Sequence, residues 1–61
     1  MRIQILVDKQ VVSIQDVDQP SIADAKLLAL KKALANNELR VSEGLRATFR
    51  VLDAAGNLID A

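Results

Sequence analysis

The side chains that could do chemistry here are serines, carboxylates and arginines, because the 61 residues include no histidine and no cysteine. Without imidazole the commonest general base is missing. Without thiols there are no cysteine nucleophiles, no disulfides and none of the usual zinc ligands. Ser13, Ser21 and Ser42 have no visible base partner. Ser21 reads as a helix cap and Ser42 as a turn residue. Asp16 and Asp18 are close enough in sequence for acid–base work, but they lead into Pro20, where aspartate is an ordinary turn residue. With Gln19 they form an oxygen-rich stretch lacking the glycine and the distant glutamate of a calcium loop. The expectation is no enzyme, no metal, no cofactor and no small-molecule substrate.

The arginines offer a different chemistry. Alternation within the strand patterns described below puts Arg2, Arg46 and Arg50 on one sheet face, with Gln4, Ser13, Gln15 and Thr48 near them. Arginine and small polar side chains suit phosphate contacts. That face has no aromatic ring on which a base could stack, and binding strength scales with the number of phosphates neutralised. Weak nucleic-acid binding through these three arginines is therefore the alternative function, not the first. A half-solvated antiparallel sheet carries such polar residues without any ligand.

Composition favours a protein partner. Eight basic and eight acidic residues give a net charge of zero, which draws neither nucleic acid nor an anionic membrane. Apolar residues make up 51% of the chain, almost all aliphatic, with Phe49 the only aromatic. A single domain spanning 1–61 has little interior to hide them, so some are expected to meet another chain: a second copy in a dimer, or another protein. Much of the total is alanine, which also sits on helix surfaces without a partner. Met1 runs straight into a strand pattern with no signal peptide, and no apolar run is long enough for a membrane span. The expected location is the cytoplasm.

The elements that must position these residues are readable from periodicity. Ile3, Ile5 and Val7 alternate with polar residues over 2–7, a half-buried strand whose polar side is broken by Leu6. After a short polar break, residues 11–17 form a second strand, with Val12 and Ile14 on one face and Ser13 and Gln15 on the other. Val11 and Val17 fall on the Ser13 side by strict alternation, so either a bulge re-aims one of them or that face touches something apolar. Ser21 caps a helix over 22–35, with Asp24 at capping-box spacing and Asn36-Asn37 as the stop. At helical spacing Ala23, Leu27, Leu30 and Leu34 form one stripe, taken as the core face. Leu28 lies off it, either a peripheral contact under a loop or a contact with a second subunit. Residues 38–44 read as short strand or loop. Residues 45–52 alternate cleanly, with Leu45, Ala47, Phe49 and Val51 on one face and Arg46, Thr48 and Arg50 on the other. A loop over 53–57 with Gly56 leads into a very short last strand at Leu58-Ile59.

The fold class that follows is α+β: a two-layer ββαββ domain with a mostly antiparallel four-stranded sheet packed on one helix. Strand order 2-1-3-4 makes every pair antiparallel, and order 1-2-3-4 is the second choice. The candidate interface is the Val-rich second strand, an edge in the preferred order with no Lys or Pro across it, using Val11, Val12, Ile14 and Val17, together with Leu28 on the helix. The start Met1-Arg2-Ile3-Gln4-Ile5, the strand Val11-Val12-Ser13-Ile14 and the helix carrying Ala25-Lys26 resemble the first part of a ubiquitin-like β-grasp domain. The resemblance covers about two-thirds of the chain. It would imply a further central strand after the second hairpin, and the chain ends Ile59-Asp60-Ala61 without a terminal Gly-Gly. No function is carried over from it.

Overall fold

A computed structural model describes residues 1–61. Four strands, β1 (Arg2–Val7), β2 (Gln10–Asp16), β3 (Thr48–Leu52) and β4 (Leu58–Asp60), form one sheet in the order β2-β1-β3-β4. All three pairings are antiparallel. One face of this sheet carries the helix α1 (Ile22–Ala35), and a single helical turn, α2 (Val41–Gly44), links α1 to β3. The architecture is the α+β ββαββ domain expected from the sequence. β1 pairs directly with β3, so the sheet has no gap for the further central strand that the β-grasp resemblance would imply.

The first hairpin turns on Asp8 and Lys9, whose φ angles are 51° and 68°. Positive φ at both positions is what a two-residue hairpin needs for its twist to match the strands. Neither residue is glycine, which is why the sequence shows only a polar break there. The second hairpin is closed by Asp53. Its carboxylate accepts from the backbone N–H groups of Asn57 at 2.8 Å and Ala55 at 3.0 Å, and Gly56 takes a φ of 87°. Those bonds, the Asn57 amide foremost, hold the Asp53 carboxyl below its ordinary range.

The helix starts and stops where its caps dictate. Ser21 Oγ accepts from the Asp24 N–H at 3.4 Å. At the other end Asn37 adopts a φ of 58°, and the Glu38 N–H bonds back to the Ala33 carbonyl at 2.9 Å. This left-handed cap satisfies a carbonyl that the helix would otherwise leave open.

The helix face that meets the sheet is not the leucine stripe. Ala25, Ala29 and Ala33 are the fully buried helix residues, whereas Leu27 is 52% exposed and Ala23 faces solvent. The reason is volume matching. The inner sheet face presents Ile3, Ile5 and Val51, the largest fully buried side chains in the molecule. A row of small residues at i, i+4 and i+8 lets the helix sit close upon them, as large and small side chains interdigitate across a packed layer. Leu28 closes one flank of this row while Leu30 and Leu34 close the other, all three half-buried against the core. Leu27 lies about 160° around the helix from Ala29 at 100° per residue, so it points away.

One open reading is resolved and one further expectation is corrected. Residues 41–44, within the stretch read as short strand or loop, form the turn α2, held by Glu43, whose carboxylate accepts from the Arg40 N–H at 2.8 Å. Gly44 packs beside Leu30 and Leu34, where a Cβ would lie 3.5 Å and 3.9 Å from their methyl carbons. This turn consumes chain, so β3 begins at Thr48 and Leu45 falls outside it, 85% exposed.

Two substitutions check this account. Ala29→Leu forces bulk under the closest helix–sheet approach and should cost about 1–3 kcal/mol, while Leu27→Ala should change stability by no more than ~0.5 kcal/mol. Urea denaturation of both reads the difference, and the opposite ranking would restore the leucine stripe as the core face. Lys9→Gly should raise the midpoint. It relieves a left-handed conformation costing about 1–2 kcal/mol, more than the about 0.4–1 kcal/mol of unfolded-chain freedom glycine adds.

Candidate interaction surface

The surface is built by one irregularity in β2. In the β1–β2 ladder Ile5 lies opposite Ser13 and Leu6 opposite Val11, which leaves Val12 unmatched. This bulge changes the parity of the strand. Ser13, Gln15 and Val17 share the helix-bearing face with Ile3 and Ile5, and Val12 also packs against the core. Val11 and Ile14 turn to the outer face, opposite Leu6 and Gln4. The anticipated bulge is therefore present, and Val11 is the residue it re-aims.

The polar inner residues have partners. Ser13, 4% exposed, donates from Oγ to Glu38 Oε1 at 3.1 Å, and the Gln15 side-chain amide donates to Ser13 Oγ at 3.0 Å and to Glu38. Glu38 reaches this position because the helix cap fixes its backbone. Ser13 and Gln15 are thus not neighbours of an arginine face. They tie the end of α1 to the edge strand.

The outer face has no covering layer. Cross-strand register sets Asp16, Arg2, Leu52 and Leu58 in one row, Ile14, Gln4 and Arg50 in the next, and Val11, Leu6 and Thr48 in the third. Val11, Ile14 and Leu58 are 44%, 54% and 55% exposed, and Leu52 is half-buried beside them. Leu6 alone is sunk, at 4%. Of the five interface candidates, Val11 and Ile14 lie on this open face. Val17 is buried, while Val12 and Leu28 lean on the core. Leu52 and Leu58 join the surface without having been singled out. Strict alternation through Arg46, Thr48 and Arg50 does place Leu52 on their side, so the signal was present in the sequence.

The arginines are distributed differently from their expected cluster. Arg2 Nε donates to Asp16 Oδ1 at 3.1 Å, and that hydrogen bond holds the Asp16 carboxyl below its ordinary range and raises the Arg2 guanidinium. Arg46 precedes β3 and contacts Asp8 at 3.5 Å. Arg50 stands in the middle row of the outer face without an acidic partner. On the helix side, Lys26 pairs with Asp60 of β4. No group of three or more acidic side chains converges on a point where a metal ion could sit, and no helix is long and apolar enough to cross a membrane.

Comparison with known proteins adds no relative. No family model matches the chain, and neither a curated protein nor a solved structure matches it.

The Arg2–Asp16 pair has a direct readout. Removing the guanidinium with Arg2→Ala should return the Asp16 carboxyl upward to the ordinary aspartate range, followed by NMR titration of its side-chain carboxyl carbon. An unchanged titration would mean that the pair is not populated in solution.

Proposed function

We propose that this chain is a non-catalytic protein-interaction or structural module of the cytoplasm that self-associates. The observation that carries this reading is the uncovered outer sheet face, where Val11, Ile14, Leu52 and Leu58 meet water on a domain that has only one helix to cover its two sheet faces. Apolar side chains on an open sheet face lose favourable burial that a partner would restore at about 25 cal/mol per Å². Zero net charge removes the long-range repulsion that would keep two copies apart. The alternative is weak nucleic-acid binding. It rests on Arg2, Arg46 and Arg50, two of which already face an aspartate of the same chain.

Salt separates the two readings. Light scattering after size exclusion, over a wide concentration range at low and high salt, should show a dimer that persists in high salt, since apolar burial is not screened. A monomer at every concentration, with an oligonucleotide bound at low salt and released at high salt, would favour the arginines.

A further inference from the structure

We infer that two copies join edge to edge, β2 against β2 about a two-fold axis, so that the two sheets become one. This deepens the self-association reading above and rests on it. The partner is a second copy of this chain, and the argument starts from backbone hydrogen bonds.

The sheet has two free edges, β2 and β4. β4 is three residues long and irregular, because Val51 faces Asp60 while Leu52 faces Leu58. β2 is seven residues long and regular beyond its bulge. At its end the Val17 N–H donates to the Met1 carbonyl at 3.0 Å, and the Met1 nitrogen donates back to the Val17 carbonyl at 2.9 Å. Met1 and Val17 are therefore a doubly bonded pair, and in an antiparallel ladder such pairs recur at every second residue. Ile3–Gln15 and Ile5–Ser13 follow in the register. The residues between them, Ile14 and Asp16, point their N–H and C=O groups away from β1, and no other backbone or side-chain bond uses those two N–H groups.

These outward groups are self-complementary. With Gln15 on the two-fold axis, Ile14 of each copy lies opposite Asp16 of the other, and the two pairs can exchange four hydrogen bonds. The stretch Gln10–Asp16 contains no Lys, Arg or Pro, the residues that natural edges use to block such pairing. The bulge at Val12 twists the other half of the edge, which confines pairing to the regular half. Charge agrees as well. Asp16 is the one charged residue of β2, and Arg2 of its own copy already neutralises it, so the contact brings together no uncompensated like charges. On the outer face the pairing sets Ile14 of each copy opposite Asp16 of the other, so the two Ile14 side chains meet on a diagonal while the Val11 residues lie toward opposite ends.

The test uses the full chain. Light scattering should give a mass near twice 6.6 kDa at high concentration. Amide hydrogen exchange by NMR should then show the Ile14 and Asp16 N–H groups protected in concentrated solution and losing that protection on dilution. Ile14→Pro deletes an outward N–H without removing a bond to β1, so it should give a monomer whose circular dichroism stays native. Leu58→Lys, on the far strand, should leave the dimer intact. A dimer in which the Ile14 and Asp16 amides exchange freely, or one that survives Ile14→Pro and dissociates with Leu58→Lys, overturns the edge pairing while self-association stands. A wild-type monomer at all concentrations overturns both. The exchange measurement decides the question even if the proline variant fails to fold.

Discussion

Everything in this small domain depends on how closely the helix can approach the sheet. Ala25, Ala29 and Ala33 set that distance, and Ile3, Ile5 and Val51 fill it. Fully burying an aliphatic side chain contributes about 1.5–3 kcal/mol, and a chain with ten buried hydrophobic residues has few such contributions to set against its lost conformational freedom. The close approach also decides features far from the core. It seats the helix end so that Glu38 reaches Ser13 and Gln15, and it brings Leu30 and Leu34 beside Gly44 at the end of the turn α2. The turn in turn fixes where β3 begins, and with it the register of the central pair.

A one-helix, one-sheet layer has an unavoidable asymmetry. The helix can cover one sheet face, and the other must be polar or find another cover. This sheet takes an intermediate course. Arg2, Asp16, Gln4, Thr48 and Arg50 make the outer face wettable, while Val11, Ile14, Leu52 and Leu58 leave it apolar at both margins. The bulge produces the margin on β2, because without the extra residue Val11 would share the inner face with Ser13. A single inserted residue thus moves an apolar side chain from one face to the other, as the two-residue period of a strand requires.

The sequence shows element types and topology more readily than faces. Alternation marks β1 and the second half of β3, Ser21 and Asn37 bracket the helix, and the helix between two hairpins leads to the 2-1-3-4 order. What alternation and helical periodicity do not reveal is which of two apolar stripes a helix buries. Leu27, Leu30 and Leu34 carry more apolar surface than the alanines, so a reading by hydrophobicity alone chooses them. The correct choice depends on the bulk of the facing sheet residues, a tertiary quantity. The same gap explains the arginines. Residue spacing places Arg2 and Arg50 on one side, but Arg46 leaves the set because β3 starts two residues after it. The bulge was legible as a conflict between Val11, Val17 and their polar neighbours, though not its location.

Edge pairing and marginal stability are linked. A species that binds the folded chain but not the unfolded one stabilises the fold by mass action, by about 2.7 kcal/mol when it is present at a hundred times its dissociation constant. For a domain of this size, with ten buried hydrophobic residues of which three are alanines, that is a substantial share of the total. The outward amides of Ile14 and Asp16 lie on the strand whose inner face holds Ser13, Gln15 and Val17 against the rest of the core. Pairing there would stiffen the strand that Glu38 ties to the helix end, so association and folding would draw on the same element. Disulfides and thiolate or imidazole metal sites, by which other small domains compensate for a slight core, are closed to a chain without cysteine or histidine. A second copy paired at β2 would supply the equivalent support from the backbone alone.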